Sequence, residues 1–190
     1  MKRDWKHTRY RAALVLGVLA VFVVTYFVLS AVVRYAEDSM KEGIARMERR
    51  VGEEAPDFSL RTFDDDVLTL SEHRGKPVLL YFWAYWSAEC TEELPAIQRL
   101  HDELSDSITI ASVHYREEES LIRECITDYG LTFSVAHDVR GGLMSESYPS
   151  TSVPYAVVVD ANGIITHTYH TLGAEAYNTL RAALLEVTAQ

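Results

Sequence analysis

The sequence predicts an α/β domain held behind a single membrane-spanning helix, and three observations carry that reading. Residues 12–33, AALVLGVLAVFVVTYFVLSAVV, contain no charge over 22 positions, about the length a helix needs to cross roughly 30 Å of hydrocarbon. Residues 78–84, VLLYFWA, are too continuously apolar for a half-exposed strand and suit one covered on both faces. Beyond them strand and helix patterns alternate, the signature of right-handed βαβ units. With 190 residues and 48% hydrophobic content, the chain has room for one domain and an extension.

The rival for residues 12–33 is a cleavable signal peptide, whose apolar region should be about 7 to 15 residues long and end at a small-x-small site. Neither feature is clear, so an uncleaved anchor is expected. Lys2, Arg3, Lys6, Arg9 and Arg11 precede the span against Asp4 alone, whereas Arg34 is followed by Glu37 and Asp38. This bias places the tail, residues 1–11, in the cytoplasm and everything after the span outside, in the periplasm or beyond a cytoplasmic (inner) membrane. The chain has 18 basic and 28 acidic residues. Removing the tail's five basic and one acidic leaves 13 against 27, about −14 for the remainder, which excludes nucleic acid as a natural partner. The membrane and exported protein clients or redox partners are the expected ones. An oxidising exterior would pair cysteines, and only Cys90 and Cys125 are present.

Residues 34–50 are mostly charged, with Ile44 and Met47 three apart, and read as a juxtamembrane stalk too short to establish a coiled coil. Residues 51–77 break into short apolar pieces around Pro56, Asp64 to Asp66 and Gly75, an entry segment with short strands. After the 78–84 strand, Ser87 is placed to cap a helix reaching about Leu104, with a kink expected at Pro95. SITIASVHY (107–115) predicts a strand, SLIRECITDYG (120–130) a helix and LTFSVAHD (131–138) another strand. A short helix is expected over Gly142 to Tyr148, then a hairpin turning at Ala161 to Gly163. The closing helix, 174–188, carries Tyr177, Leu180, Leu184 and Val187 on one face. No internal repeat or low-complexity tract is evident.

Together VGEEAPDFSL, FWAYWSAEC, EELP, the strand-helix-strand of 108–138 and VPYAVVVDANG resemble the membrane-anchored thioredoxin-like proteins of the TlpA/ResA type, over about residues 51–188 and the preceding anchor. The resemblance implies a thioredoxin-like fold with a central inserted strand-helix-strand, filling a domain of residues 51–190, and activity in thiol-disulfide exchange without a bound cofactor. It implies a cis proline at Pro154, after Val153, facing the first long helix and shaping a substrate groove with Trp86. It also implies a Cys-x-x-Cys motif whose first, exposed cysteine attacks a disulfide and whose second resolves the product. Here the motif is degenerate: Ser87 stands at the first position and Cys90 keeps the second.

A serine hydroxyl needs a neighbouring base to attack near neutral pH. His101 lies fourteen helical residues on, about 21 Å away, and His73 belongs to the opposite end of the sheet. His114, near the end of a neighbouring strand, is the better placed candidate. Against a Ser-His pair stands the plain reading of Ser87 as a helix cap worth about 1 kcal/mol. Cys90 is either a quiet core thiol or a lone reactive one, with Glu89, Glu92 and Glu93 opposing its ionisation. Cys125 aligns with Leu121, Ile122, Ile126 and Tyr129 on an apolar stripe; pairing with Cys90 would need Cα atoms within about 7 Å. The Ser-x-x-Cys spacing is also similar to peroxiredoxins, but they place proline four residues before the hydroxyl, where Trp83 stands here. His167 and His170 lack the companions of a metal site and read as surface residues. Two functions remain: a thiol enzyme working through Cys90, or a redox-inactive binding or scaffold module retaining the groove of Trp86, Val153 and Pro154. A single-cysteine peroxidase is the lesser alternative.

Overall fold

The computed structural model describes residues 4–48, 50–150 and 152–189. Lys2 and Arg3 lie outside the described residues, as do the side chains of Lys6, Arg9, Arg11, Ile44 and Met47, on which the basic flank and the stalk stripe rest. The chain divides into two compact units, Met1–Lys41 and Glu42–Gln190.

The first unit is helical. The helix α1 runs Asp4–Glu48, and its stretch Leu14–Ser39 is long and apolar enough to cross a membrane. Leu16, Phe22 and Tyr26 are largely exposed along it, and in water this surface would be strongly unfavourable. The expected boundary between anchor and stalk at residue 33 is not a break in the helix, because the charged sequence after Arg34 contains neither a proline nor a capping turn that would end it.

In the second unit a two-stranded antiparallel sheet, β1 (Ser59–Arg61) and β2 (Val67–Thr69), precedes a mixed five-stranded one. The large sheet is built from β3 (Val78–Trp83), β4 (Thr109–Tyr115), β5 (Ser134–Asp138), β6 (Tyr155–Val159) and β7 (Ile165–His170), in the order β5-β4-β3-β6-β7. β4 runs parallel to β3 and β5 to β4, whereas β6 is antiparallel to β3 and β7 to β6. All six residues of β3 are buried, as its unbroken apolar sequence requires at the centre of a sheet.

The helix α2 (Ala88–Leu104) returns from the end of β3, and α3 (Glu119–Asp128) joins β4 to β5. Leu94, Ile97 and Leu100 on α2 and Leu180 and Leu184 on α4 (Ala176–Thr188) enter one core with β3. α2 runs through Pro95 without interruption. β4 begins two residues later than expected, since the amides of Ser107 and Ile108 still bond to the Leu104 carbonyl and finish α2. Likewise β5 begins at Ser134: the Leu131 amide closes α3 on Ile126, and the Thr132 amide bonds to Gln98. Residues 143–147 form a single π-helical turn. The hairpin of β6 and β7 turns through Gly163 at φ +82, where the Arg74 guanidinium, bonded to the Asn162 carbonyl, occupies the space a β-carbon would need.

Candidate functional site

The end of β3 delivers the site. After Trp83 the chain leaves the sheet through Ala84, Tyr85 and Trp86, and the Ser87 amide bonds back to the Ala84 carbonyl at 3.3 Å. Ser87 is extended (φ −90, ψ 117) and its hydroxyl accepts the Cys90 amide at 3.3 Å, the bond of a helix N-cap. The same hydroxyl donates to Glu89 Oε2 at 3.0 Å. Both its donor and an acceptor lone pair are thus engaged, and Ser87 is only 4% exposed.

The hydroxyl's partners are the Cys90 amide and Glu89, not His114. β4 sets His114 opposite Trp83 in register, and the ring packs edge-on against Trp83 at 4.7 Å with Nε2 placed 2.5 Å from Glu117 Oε2. Burial, then the neighbouring His137, hold this imidazole below its usual range. The Ser87–His114 pair weighed from the sequence is not formed. His101 instead packs edge-on against Phe133 at 6.0 Å, and His73 sits in the turn before β3.

Cys90, one turn into α2, is 0% exposed. Burial pushes its thiol up to about 11; the bonds from the Ser87 side chain and the Ala84 backbone pull it down, and the charges of Glu93 and Glu89 push it further up. Cys125 is equally buried, its thiol also pushed up to about 11 by burial first and Glu117 second. Both thiols are free, so the 90–125 disulfide is not made. His167 lies 3.8 Å from Glu186 and His170 stacks on Tyr155 at 4.6 Å.

The Val153–Pro154 peptide is cis. Because Tyr155 pairs with Phe82, Pro154 adjoins the same end of β3 from which the Trp86 loop departs. Trp86 is 64% exposed, whereas Val153 and Pro154 are buried. The Pro154 carbonyl accepts the Thr171 amide at 3.4 Å, and the next two amides, Leu172 and Gly173, donate to Glu93 Oε1 at 2.5 and 2.7 Å. Glu93 also accepts from the Tyr81 hydroxyl at 3.2 Å. A single carboxylate on α2, 2% exposed, therefore ties the helix to the loop that holds Pro154. Burial raises its pKa, the three bonds from Gly173, Leu172 and Tyr81 only partly offset that, and the charge of Glu89 adds to the rise. The sequence reading treated Glu93 merely as nearby negative charge.

Glu117 was missed altogether. Its Oε2 accepts the Tyr85 amide at 2.7 Å and its Oε1 the Trp86 amide at 3.1 Å, clamping the backbone immediately before Ser87. No motif marks it, because it acts only through the turn that follows β4.

Residues 51–168 match the AhpC/TSA family. Thioredoxin-like protein YneN of Bacillus subtilis is 34% identical over 117 residues, covering 60% of this chain and 68% of that protein. Thiol-disulfide oxidoreductase ResA of Oceanobacillus iheyensis is 35% identical over 121 residues, covering 61% of this chain and 62% of that protein, so the match stops short of two thirds of its length. Among solved structures, StoA of Bacillus subtilis superposes with a TM-score of 0.58 at 25% identity over 67% of this chain and 96% of its own. The pneumococcal exposed lipoprotein thioredoxin of Streptococcus pneumoniae does so with 0.61 at 26% identity over 69% and 99%. By its fold and by these matches, the chain belongs to the AhpC/TSA family as a thioredoxin-like protein of the thiol-disulfide oxidoreductase kind.

Proposed function

We propose that this is a membrane-anchored, extracytoplasmic thioredoxin-fold protein that docks exported polypeptides at the exposed Trp86, beside the loop of Val153 and cis Pro154, and has lost dithiol turnover. Ser87 stands where its relatives' kind would carry the attacking cysteine. The observation that carries the reading is the use of that serine: its hydroxyl caps α2 and bonds to Glu89, above a Cys90 that is 0% exposed with its thiol pushed up to about 11. Glu89, its pKa lowered by its own backbone amide and by the Ser87 hydroxyl, is too weak a base to activate that alcohol, and a buried thiol that is almost wholly protonated at neutral pH attacks slowly. The relatives named as thiol-disulfide oxidoreductases support a fold built for thiol-disulfide exchange, and the apolar stretch Leu14–Ser39 supports anchoring.

Cross-linking in cells, followed by recovery of the full chain, tests this. The same partners should be recovered with Cys90→Ser as with the unaltered chain. Partners held through a disulfide and lost in Cys90→Ser would assign the protein to monothiol chemistry instead.

A further inference from the structure

Glu117 brings a negative charge to the site that no neighbouring cation neutralises. The side chain is 10% exposed, and its contacts are two backbone amides and His114. The amides are dipoles without net charge, and His114, held below its ordinary range, is neutral at pH 7. Among the described residues, no arginine or lysine lies within ion-pair distance of it. The adjacent Arg116 is turned elsewhere: its Nε donates to the Arg140 carbonyl at 3.1 Å and its guanidinium lies 5.0 Å over the Tyr115 ring. Glu117 is thus satisfied in hydrogen bonding and unbalanced in charge.

The charge lies against the backbone that carries the exposed aromatic of the site. The amide that Glu117 Oε1 accepts belongs to Trp86, whose side chain is 64% exposed. An indole face attracts cations through its quadrupole. A carboxylate partly removed from water acts over several ångströms with less screening than a surface one. Both effects favour the same sign of partner at the same place, and Glu89, bonded to Ser87, adds to them.

We propose that Glu117 is a specificity-determining residue of this face: it fixes the Trp86 loop and selects extended polypeptide segments carrying lysine or arginine over acidic ones. The inference rests on the docking reading above and adds the charge of the segment docked. It gives Glu117 two separable roles, one through its hydrogen bonds and one through its charge.

The test uses the full chain in phosphatidylcholine nanodiscs and two short labelled peptides, identical except that one carries lysines where the other carries glutamates. Anisotropy titrations at low salt should show the lysine peptide binding about tenfold more tightly, with the preference shrinking as salt is added. Glu117→Gln should cut that preference to about threefold or less, and Trp86→Ala should weaken both peptides. Amide hydrogen exchange on Glu117→Gln should quicken at Tyr85 and Trp86 while β3 stays protected, showing that the fold is kept. Equal binding of the two peptides by the unaltered chain, which needs no variant, overturns the selectivity and leaves docking standing. An undiminished preference in a folded Glu117→Gln likewise overturns the role of Glu117. If neither peptide binds the unaltered chain, the docking reading falls with it.

Discussion

The oxygen of Ser87 and the sulfur of Cys90 sit one helical turn apart, yet their chemistry is set by surroundings rather than by spacing. Ser87 gives its lone pair to the Cys90 amide and its proton to Glu89, which leaves it a cap. Cys90 lies behind it at 0% exposure, and desolvation of the thiolate outweighs the favourable bonds that reach it. With the thiol at about 11, the thiolate fraction at pH 8 is on the order of one part in a thousand. Alkylation of native Cys90 by iodoacetamide, followed by peptide mass spectrometry, should therefore be slow at pH 7 and rise about tenfold per pH unit up to about pH 10. Cys125, also at about 11, should follow the same slope. A Cys90 rate that is already fast and level between pH 7 and 8 would mean an activated thiol.

At the scale of elements, much of the domain was legible because periodicity is local. The uncharged run at 12–33, the continuous apolar strand of β3 and the amphipathic face of α4 each announce themselves within a single window of sequence. The cap at Ser87 was legible too, since it depends on residues three apart. The ends of β4 and β5 were misplaced by two or three residues because backbone bonds to Leu104, Ile126 and Gln98 hold those residues outside the sheet. Those partners lie beyond a strand's own pattern. His114 shows the same limit: its strand was identified, but only the parallel register with β3 places it opposite Trp83 and beside Glu117. Glu93 binds amides some eighty residues later in the chain, and Glu117 clamps a loop some thirty residues earlier. Neither bond has a sequence signature, so the two carboxylates that organise the site emerged only with the fold.

At the scale of the whole molecule, an apolar helix precedes an acidic α/β domain, and the meaning of the site depends on which side of a membrane that domain occupies. Five basic residues before the span against one acidic residue predict an external domain. Protease added to intact spheroplasts should digest a C-terminal tag on the full chain, and complete protection of the tag would reverse the orientation. Insulin reduction in a dithiol-coupled assay shows whether Ser87 disables dithiol turnover on an otherwise competent scaffold. The unaltered full chain in detergent should remain at background, whereas Ser87→Cys, which restores an attacking sulfur above the intact Cys90, should exceed background by about tenfold or more. Catalytic turnover by the unaltered chain that disappears in Cys90→Ser would mean that Ser87 disables nothing and that Cys90 alone sustains the cycle.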